Sequence, residues 1–160
     1  MPPRGEERTI WRITSARYGT TAFDGEGARL YGGRWNYPGT AIVYCSATLS
    51  LAALEYFVHI EPDLAPPDLV SVAADLPSGL ALETLEIESL PSDWRTYPAP
   101  ERLKDLGTGW ARSGRTAVLL VPSCVIPHEM NILVNPAHPD FLRFHLHEAQ
   151  PFSYDPRMWK

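Results

Sequence analysis

A chain of 160 residues, 44% hydrophobic and 21% charged, has the length and composition of one packed domain, which excludes wholesale disorder. Its net charge of −5 is the wrong sign for a protein that grips nucleic-acid phosphates by itself. No apolar run approaches the ~20 residues of a membrane span, MPPRGEER at the start has no apolar signal core, and two cysteines point to reduced thiols in a cytoplasmic protein.

Residues 1–160 are expected to form a single domain, and sixteen prolines predict short elements joined by rigid loops. Thr9 to Ser15 alternates β-branched and aromatic residues and reads as a first strand. A long glycine-punctuated loop follows, from about Ala16 to Thr40. Its tyrosines, Phe23 and Trp35 argue against disorder, and loops of this length are usually functional. Ala41 to Cys45 is a short strand. A helix from about Thr48 to Ile60 starts at Ser46 or Thr48 as N-cap and stops before Pro62. Leu69 to Leu76 and, more weakly, Ala81 to Ile87 are strands. Ala99 to Arg112 is a helix closed by Ser113-Gly114. Arg115 to Val121 is a buried strand ending at Pro122, and Asn131 to Val134 is another. Leu142, Phe144 and Leu146 alternate with polar residues and predict a half-buried last strand. Six or seven strands with two main helices in irregular order give an α+β domain, not a doubly wound sheet.

Familiar site motifs are absent. There is no phosphate-binding G-x-x-x-x-G-K, no H-E-x-x-H, no G-x-S-x-G and no C-x-x-C. Gly25 and Gly27 start a dinucleotide-type pattern that Leu30 breaks. The Thr48–Ile60 helix is apolar almost all round, which predicts burial. Glu55 and His59 are its only ionisable residues and share one stripe. A buried carboxylate costs several kcal/mol unless it is paired or opens on a wet cleft, so Glu55 needs a partner or a pocket. Arg34, in Gly32-Gly33-Arg34-Trp35-Asn36, is the expected cationic partner. Flanking glycines also let the backbone approach a ligand that a guanidinium binds bidentately. Tyr44 ends the strand before the helix. Ser123 follows the strand that stops at Pro122, where plain turn chemistry is the alternative. Cys124 and His128 could form a thiol dyad, but Pro127 interrupts them. His145 and His147, with Glu55 or His59, could hold a metal. Two histidines on a strand's solvent face are usually only that, and no metal ligands are assigned.

The run from Gly33 to Glu55, GRWNYPGTAIVYCSATLSLAALE, resembles the RES-domain toxins of bacterial type II toxin–antitoxin systems. The family is named for an Arg, a Glu and a Ser. The matching positions here are Arg34 in G-R-W, Glu55 in A-L-E-x-x-V-H and Ser123 in V-P-S. Trp11-Arg12, Val43-Tyr44 and Asn131-x-x-x-Asn135-Pro136 extend the likeness over most of the chain. The resemblance implies an ADP-ribosyltransferase-like fold, a mixed β-sheet core with a few helices. It implies cleavage of the nicotinamide–ribose bond of NAD+ by hydrolysis or phosphorolysis, with NAD+ as substrate and no resident cofactor. In one branch ADP-ribose is instead transferred to a protein. It also implies a cognate antitoxin of Xre-like helix-turn-helix type, and no direct contact with nucleic acid or membrane. A non-enzymatic antitoxin-binding module is the remaining alternative. In the implied site Glu55 faces the charge developing on the ribose, and Arg34 and Arg12 clamp the pyrophosphate. Tyr44 walls the nicotinamide, with Tyr31 and Trp35 in reserve. Ser123 bonds the amide, ribose or phosphate.

Overall fold

The computed structural model describes residues 8–61 and 67–159. Its frame is one mixed sheet of eight strands. They are β1 (Arg8–Ser15), β2 (Val43–Ser46), β3 (Leu69–Leu76), β4 (Leu82–Thr84), β5 (Val118–Pro122), β6 (Met130–Val134), β7 (His145–Leu146) and β8 (Gln150–Phe152). The spatial order is β4-β5-β6-β2-β1-β3-β7, with β8 also on β3. Only β4 and β5 run parallel; the other pairs are antiparallel. Among the described residues three α-helices accompany it: α1 (Glu26–Tyr31), α2 (Leu49–Phe57) and α3 (Glu101–Ser113). None is long and apolar enough to cross a membrane. The expected α+β class, a mixed sheet with a few helices, is what the chain adopts.

Side-chain alternation sorts the core onto the two faces. Val118 and Leu120 of β5 join Ile132, Val134, Val43 and Ile10 on one face. Leu119 and Val121 join Leu133, Ile42 and the tryptophans Trp35, Trp94 and Trp110 on the other, beneath α3. Burial on both faces explains why β5 reads as an unbroken apolar run. The pairs Tyr44↔Leu133 and Leu119↔Leu133 put Tyr44 on the α3 side. The α2 helix lies against β1, where Ala52 packs with Ile13 and Leu69.

Several expectations change. The 16–40 stretch is not plain loop: it carries a 3-10 turn over Ala16–Thr21 and the short α1. The α2 helix is shorter, with Thr48 as the N-cap accepting from the Leu51 amide at 3.0 Å. Only Leu51 and Ala52 of α2 are fully buried, so the helix is less enclosed than its apolar sequence predicts. Its expected stop at Pro62 falls outside the described residues. β4 spans three residues of the predicted 81–87. Pro122 is the last residue of β5, opposite Met130, rather than the residue beyond it. The predicted last strand forms only at His145–Leu146, as β7; its first residues, Leu142 and Arg143, end the 3-10 turn Pro139–Arg143 instead, with Leu142 88% exposed. Only Phe144 from that alternating trio is buried, against Phe141 at 5.3 Å between rings.

One close approach fixes α3. A Cβ built on Gly107 would lie 1.9 Å from the Trp35 carbonyl oxygen. The helix thus rests its glycine on the backbone of the Gly-Arg-Trp segment. Gly109, two residues on and so on the opposite side of the helix, has open space. Gly107→Ala is expected to cost at least the ~1–3 kcal/mol of overpacking, read as a fall of several degrees in melting temperature. Gly109→Ala should be neutral or stabilising by up to about 1 kcal/mol. Equal melting temperatures for the two variants would refute the packing account.

Candidate active site

The site begins with the second turn of α2. Glu55 Oε1 accepts two hydrogen bonds, from Ser123 Oγ at 2.6 Å and from Asn131 Nδ2 at 2.7 Å. Ser123 stands directly after β5, and Asn131 lies on β6 opposite Val121. The Ser123 oxygen already accepts from the amides of Val125 at 3.1 Å and Ile126 at 3.0 Å. With both lone pairs used, its one O–H is committed to the carboxylate. Asn131 is oriented in turn by Ser46 of β2, whose hydroxyl donates to Asn131 Oδ1 at 2.8 Å. A neutral cradle therefore saturates one oxygen of Glu55, while Oε2 has no hydrogen-bond partner among the described residues.

Glu55 lines a cavity of about 890 Å³, within the usual range of small-molecule sites. Arg12, Tyr31, Arg34, Tyr44 and Lys104 line it as well. Arg34 does not pair with Glu55 as expected. Its Nη1 donates to the carbonyls of Trp94 at 3.0 Å and Thr96 at 3.1 Å. That anchors one edge of the guanidinium and leaves the Nε and Nη2 hydrogens free. Arg12 Nη1 donates to the Tyr44 carbonyl at 3.0 Å, and its buried Nε has no partner among the described residues. Neither arginine belongs to an ion pair among the described residues. Two cations with spare donors thus share one cavity with a carboxylate that has a spare acceptor.

The segment carrying Arg34 is held from several sides. Gly32 takes a left-handed φ of 73°, which favours glycine. A Cβ on Gly33 would lie 2.7 Å from the Tyr44 hydroxyl. That hydroxyl donates to Asn36 Oδ1 at 2.5 Å and accepts from the Trp35 amide at 3.0 Å. Burial raises its pKa well above that of an exposed phenol, so it stays protonated and acts here as a donor. Asn36 is fully buried, and its amide donates to the carbonyls of Ala28, Tyr37 and Thr40. Lys104 of α3 donates to the Gly33 carbonyl at 2.7 Å.

The structure brings Arg12, Tyr31, Arg34, Tyr44 and Glu55 to one cavity. Tyr31 stands at its mouth, 84% exposed. Trp35 also lines the cavity, but it is almost fully buried and packs in the core cluster with Trp94 and Trp110. Ser123 is fully buried and spends its hydroxyl on Glu55 and two amides. The thiol dyad does not form: burial raises the Cys124 pKa, His128 is exposed, and no hydrogen bond joins them. His145 and His147 lie beside Asp75, not beside Glu55 or His59. Lys104 and the orienting role of Asn131 went unpredicted. Asn131 sits 76 residues from Glu55, and no local pattern marks that contact.

A family model described as "RES domain" matches residues 9–155. A protein named Prs ADP-ribosylating toxin, from Sphingobium sp. (strain YBL2), is 40% identical over 154 residues, which is 94% of this chain and 96% of that one. A protein named Toxin Res, from Yersinia enterocolitica serotype O:8 / biotype 1B, is 39% identical over 153 residues, 93% and 98% of the two chains. The solved M. tuberculosis MbcT-MbcA toxin-antitoxin complex holds a chain similar at a TM-score of 0.73 and 18% identity, covering 94% of this chain and 86% of that one. At that identity the likeness is one of fold.

Tyr44→Phe tests the scaffold directly. It strips a donor from buried Asn36 and an acceptor from the Trp35 amide, and unsatisfied buried groups cost about 1–3 kcal/mol. Urea unfolding should show a loss of that size at unchanged m-value, and wild-type stability would refute the proposed tie.

Proposed function

The chain belongs to the RES-domain family, and on that premise we propose that it is a toxin of a toxin–antitoxin system that cleaves NAD+ at the nicotinamide–ribose bond. One observation carries the reading. Among the described residues, a carboxylate with one oxygen saturated by neutral donors and the other unpartnered shares a cavity with two arginines outside any ion pair. NAD+ offers complementary features: two phosphates for guanidinium donors and a ribose whose anomeric carbon turns positive as its bond breaks.

In this reading Arg34 and Arg12 bind the pyrophosphate through the N–H groups left free by their backbone anchors. Glu55 Oε2 holds the ribose hydroxyls and faces the oxocarbenium-like charge, an interaction that strengthens as the bond breaks. The C1′–N bond breaks with its electron pair going to the pyridine nitrogen. Nicotinamide, cationic within NAD+, departs neutral, so no general acid is needed. An oxygen of water or phosphate then bonds to C1′; with water the released proton passes to solvent. Ser123 and Asn131 act by positioning Glu55. The Tyr44 ring forms one wall of the pocket, and Tyr31 flanks the entrance.

A second reading, transfer of ADP-ribose to a protein, draws support from the relative named as an ADP-ribosylating toxin. The fold shared with a toxin from a toxin–antitoxin complex supports a cognate antitoxin as partner, for which an Xre-like helix-turn-helix protein is proposed. Expression of the chain alone should then arrest growth, and the partner should relieve it.

The purified chain should release nicotinamide from NAD+, and dependence on inorganic phosphate would name the acceptor. Glu55→Gln should lower the rate by about 10²–10³-fold, the size of one electrostatic transition-state group. Near-wild-type release by folded Glu55→Gln would overturn the site. NAD+ labelled in its adenylate and incubated with lysate separates the two readings, since only transfer leaves label on a macromolecule.

A further inference from the structure

A second cluster of chemistry-bearing groups stands at the far edge of the sheet. Asp75 of β3 lies between Thr9 of β1 and His145 of β7, each its direct register partner. Directly opposed residues project from the same face, and the residue two further along the strand lies diagonal to them. His147 follows His145 by two, and its amide continues the ladder to the Ala73 carbonyl at 2.9 Å. Both imidazoles therefore flank one carboxylate. The rings meet edge to face at 4.6 Å between centroids, and His147 Nε2 is 2.7 Å from Asp75 Oδ2. One donor atom from each of Asp75, His145 and His147 lies within 4.8 Å of the others.

We propose that Asp75, His145 and His147 bind a single divalent transition-metal ion of the zinc class. Two imidazoles and one carboxylate are a ligand set such ions favour, with bonds of about 2.0–2.2 Å. Drawing the three atoms onto one ion takes side-chain rotations only, because the backbone register already places them together. Thr9 supports the carboxylate from behind. Its hydroxyl donates to Asp75 Oδ1 at 2.7 Å and leaves Oδ2, on the histidine side, as the ligating oxygen. A hydrogen-bonded outer partner of this kind fixes the orientation of a metal-bound carboxylate. An adjoining hollow lined by Asp75, His147, Glu148 and Gln150 has room for water to complete the coordination.

The ion would act as a clip. β7 has only two residues and pairs with β3 alone. A metal joining His145 and His147 to Asp75 would tie it to the longest antiparallel pair of the sheet, β1 with β3. None of the three ligands lines the cavity of Glu55, so the proposal stands apart from NAD+ cleavage and predicts stabilisation rather than chemistry.

The test uses the full chain, free of any histidine tag and stripped with chelator. Titration with Co²⁺ should give visible d–d absorption saturating at one ion per chain, and Zn²⁺ should displace it. At about a hundredfold excess over the dissociation constant, Zn²⁺ should raise the melting temperature by about 5–10 °C. His145→Gln and His147→Gln should each abolish the saturable spectrum and the thermal shift. Both should keep the metal-free melting temperature and nicotinamide release of the parent, since these side chains are exposed. No saturable binding by the parent chain, or a spectrum that survives both substitutions, overturns the proposal.

Discussion

The arrangement of this molecule turns on one problem, a half-buried carboxylate on an almost wholly apolar helix. Glu55 cannot sit against the sheet without donors, because an unsatisfied charged group there costs more than most single contacts return. The chain meets the need with neutral groups, the Ser123 hydroxyl and the Asn131 amide. These two bonds join α2 to the end of β5 and to β6, across 68 and 76 residues of sequence. Ser46 extends the network to β2. Neutral donors have a further consequence. A cation paired with Glu55 would cancel the charge and spend its own donors. With Ser123 and Asn131 instead, the carboxylate keeps a free oxygen and both arginines keep free N–H groups.

The second constraint is the wedge formed by Gly32 to Thr40. It is squeezed between α3, whose Gly107 admits the Trp35 carbonyl, and Tyr44, whose hydroxyl occupies the space a Gly33 side chain would need. The two amide hydrogens of Asn36 serve three carbonyls from inside the wedge, one hydrogen being shared, and Lys104 caps a fourth from α3. Each contact removes freedom from the segment that carries Arg34. The guanidinium is then anchored by Trp94 and Thr96 carbonyls, so its remaining edge is directed before any ligand arrives. Preorganisation of this kind is what electrostatic catalysis requires, since dipoles already in place need no rearrangement as charge develops. Binding two phosphates is served by the same rigidity, because less side-chain entropy is lost on association.

Strongly local signals were legible in the sequence. β3 occupies Leu69–Leu76 as read from its alternation and apolar content. Thr48 is the N-cap and Gly114 takes the left-handed C-cap, because capping depends on a few adjacent residues. The apolar α2 with its one carboxylate also marked Glu55 as a residue needing explanation. What failed depended on distance. Arg34 looked like the partner of Glu55 because charge is visible in a sequence and geometry is not. Leu142, Phe144 and Leu146 have strand-like spacing, yet Pro139 and the His138 side-chain cap on the Asp140 amide favour a tight turn first. Ser123 was recognisable as a residue at a strand end. Its orientation was not, since it follows from two amides in a turn, Val125 and Ile126, that no pattern announces.

Strand register is what converts these scattered residues into a site. Asn131 faces Val121 across one ladder and Ser46 across another. Shifting either pairing by one residue would turn the Asn131 side chain to the opposite face of the sheet, since side chains alternate with period two. The same shift would move Leu133 and Ile132 out of their separate cores. Register is therefore held by burial on both faces, which is where most of the favourable free energy lies. The polar network of Ser46, Asn131, Ser123 and Glu55 rides on that register and has few alternative arrangements. This explains why a chain with short strands and many prolines can still present a carboxylate and two guanidiniums with defined geometry. The apolar layers set the register, the register sets the donors, and the donors leave one oxygen of Glu55 facing the cavity.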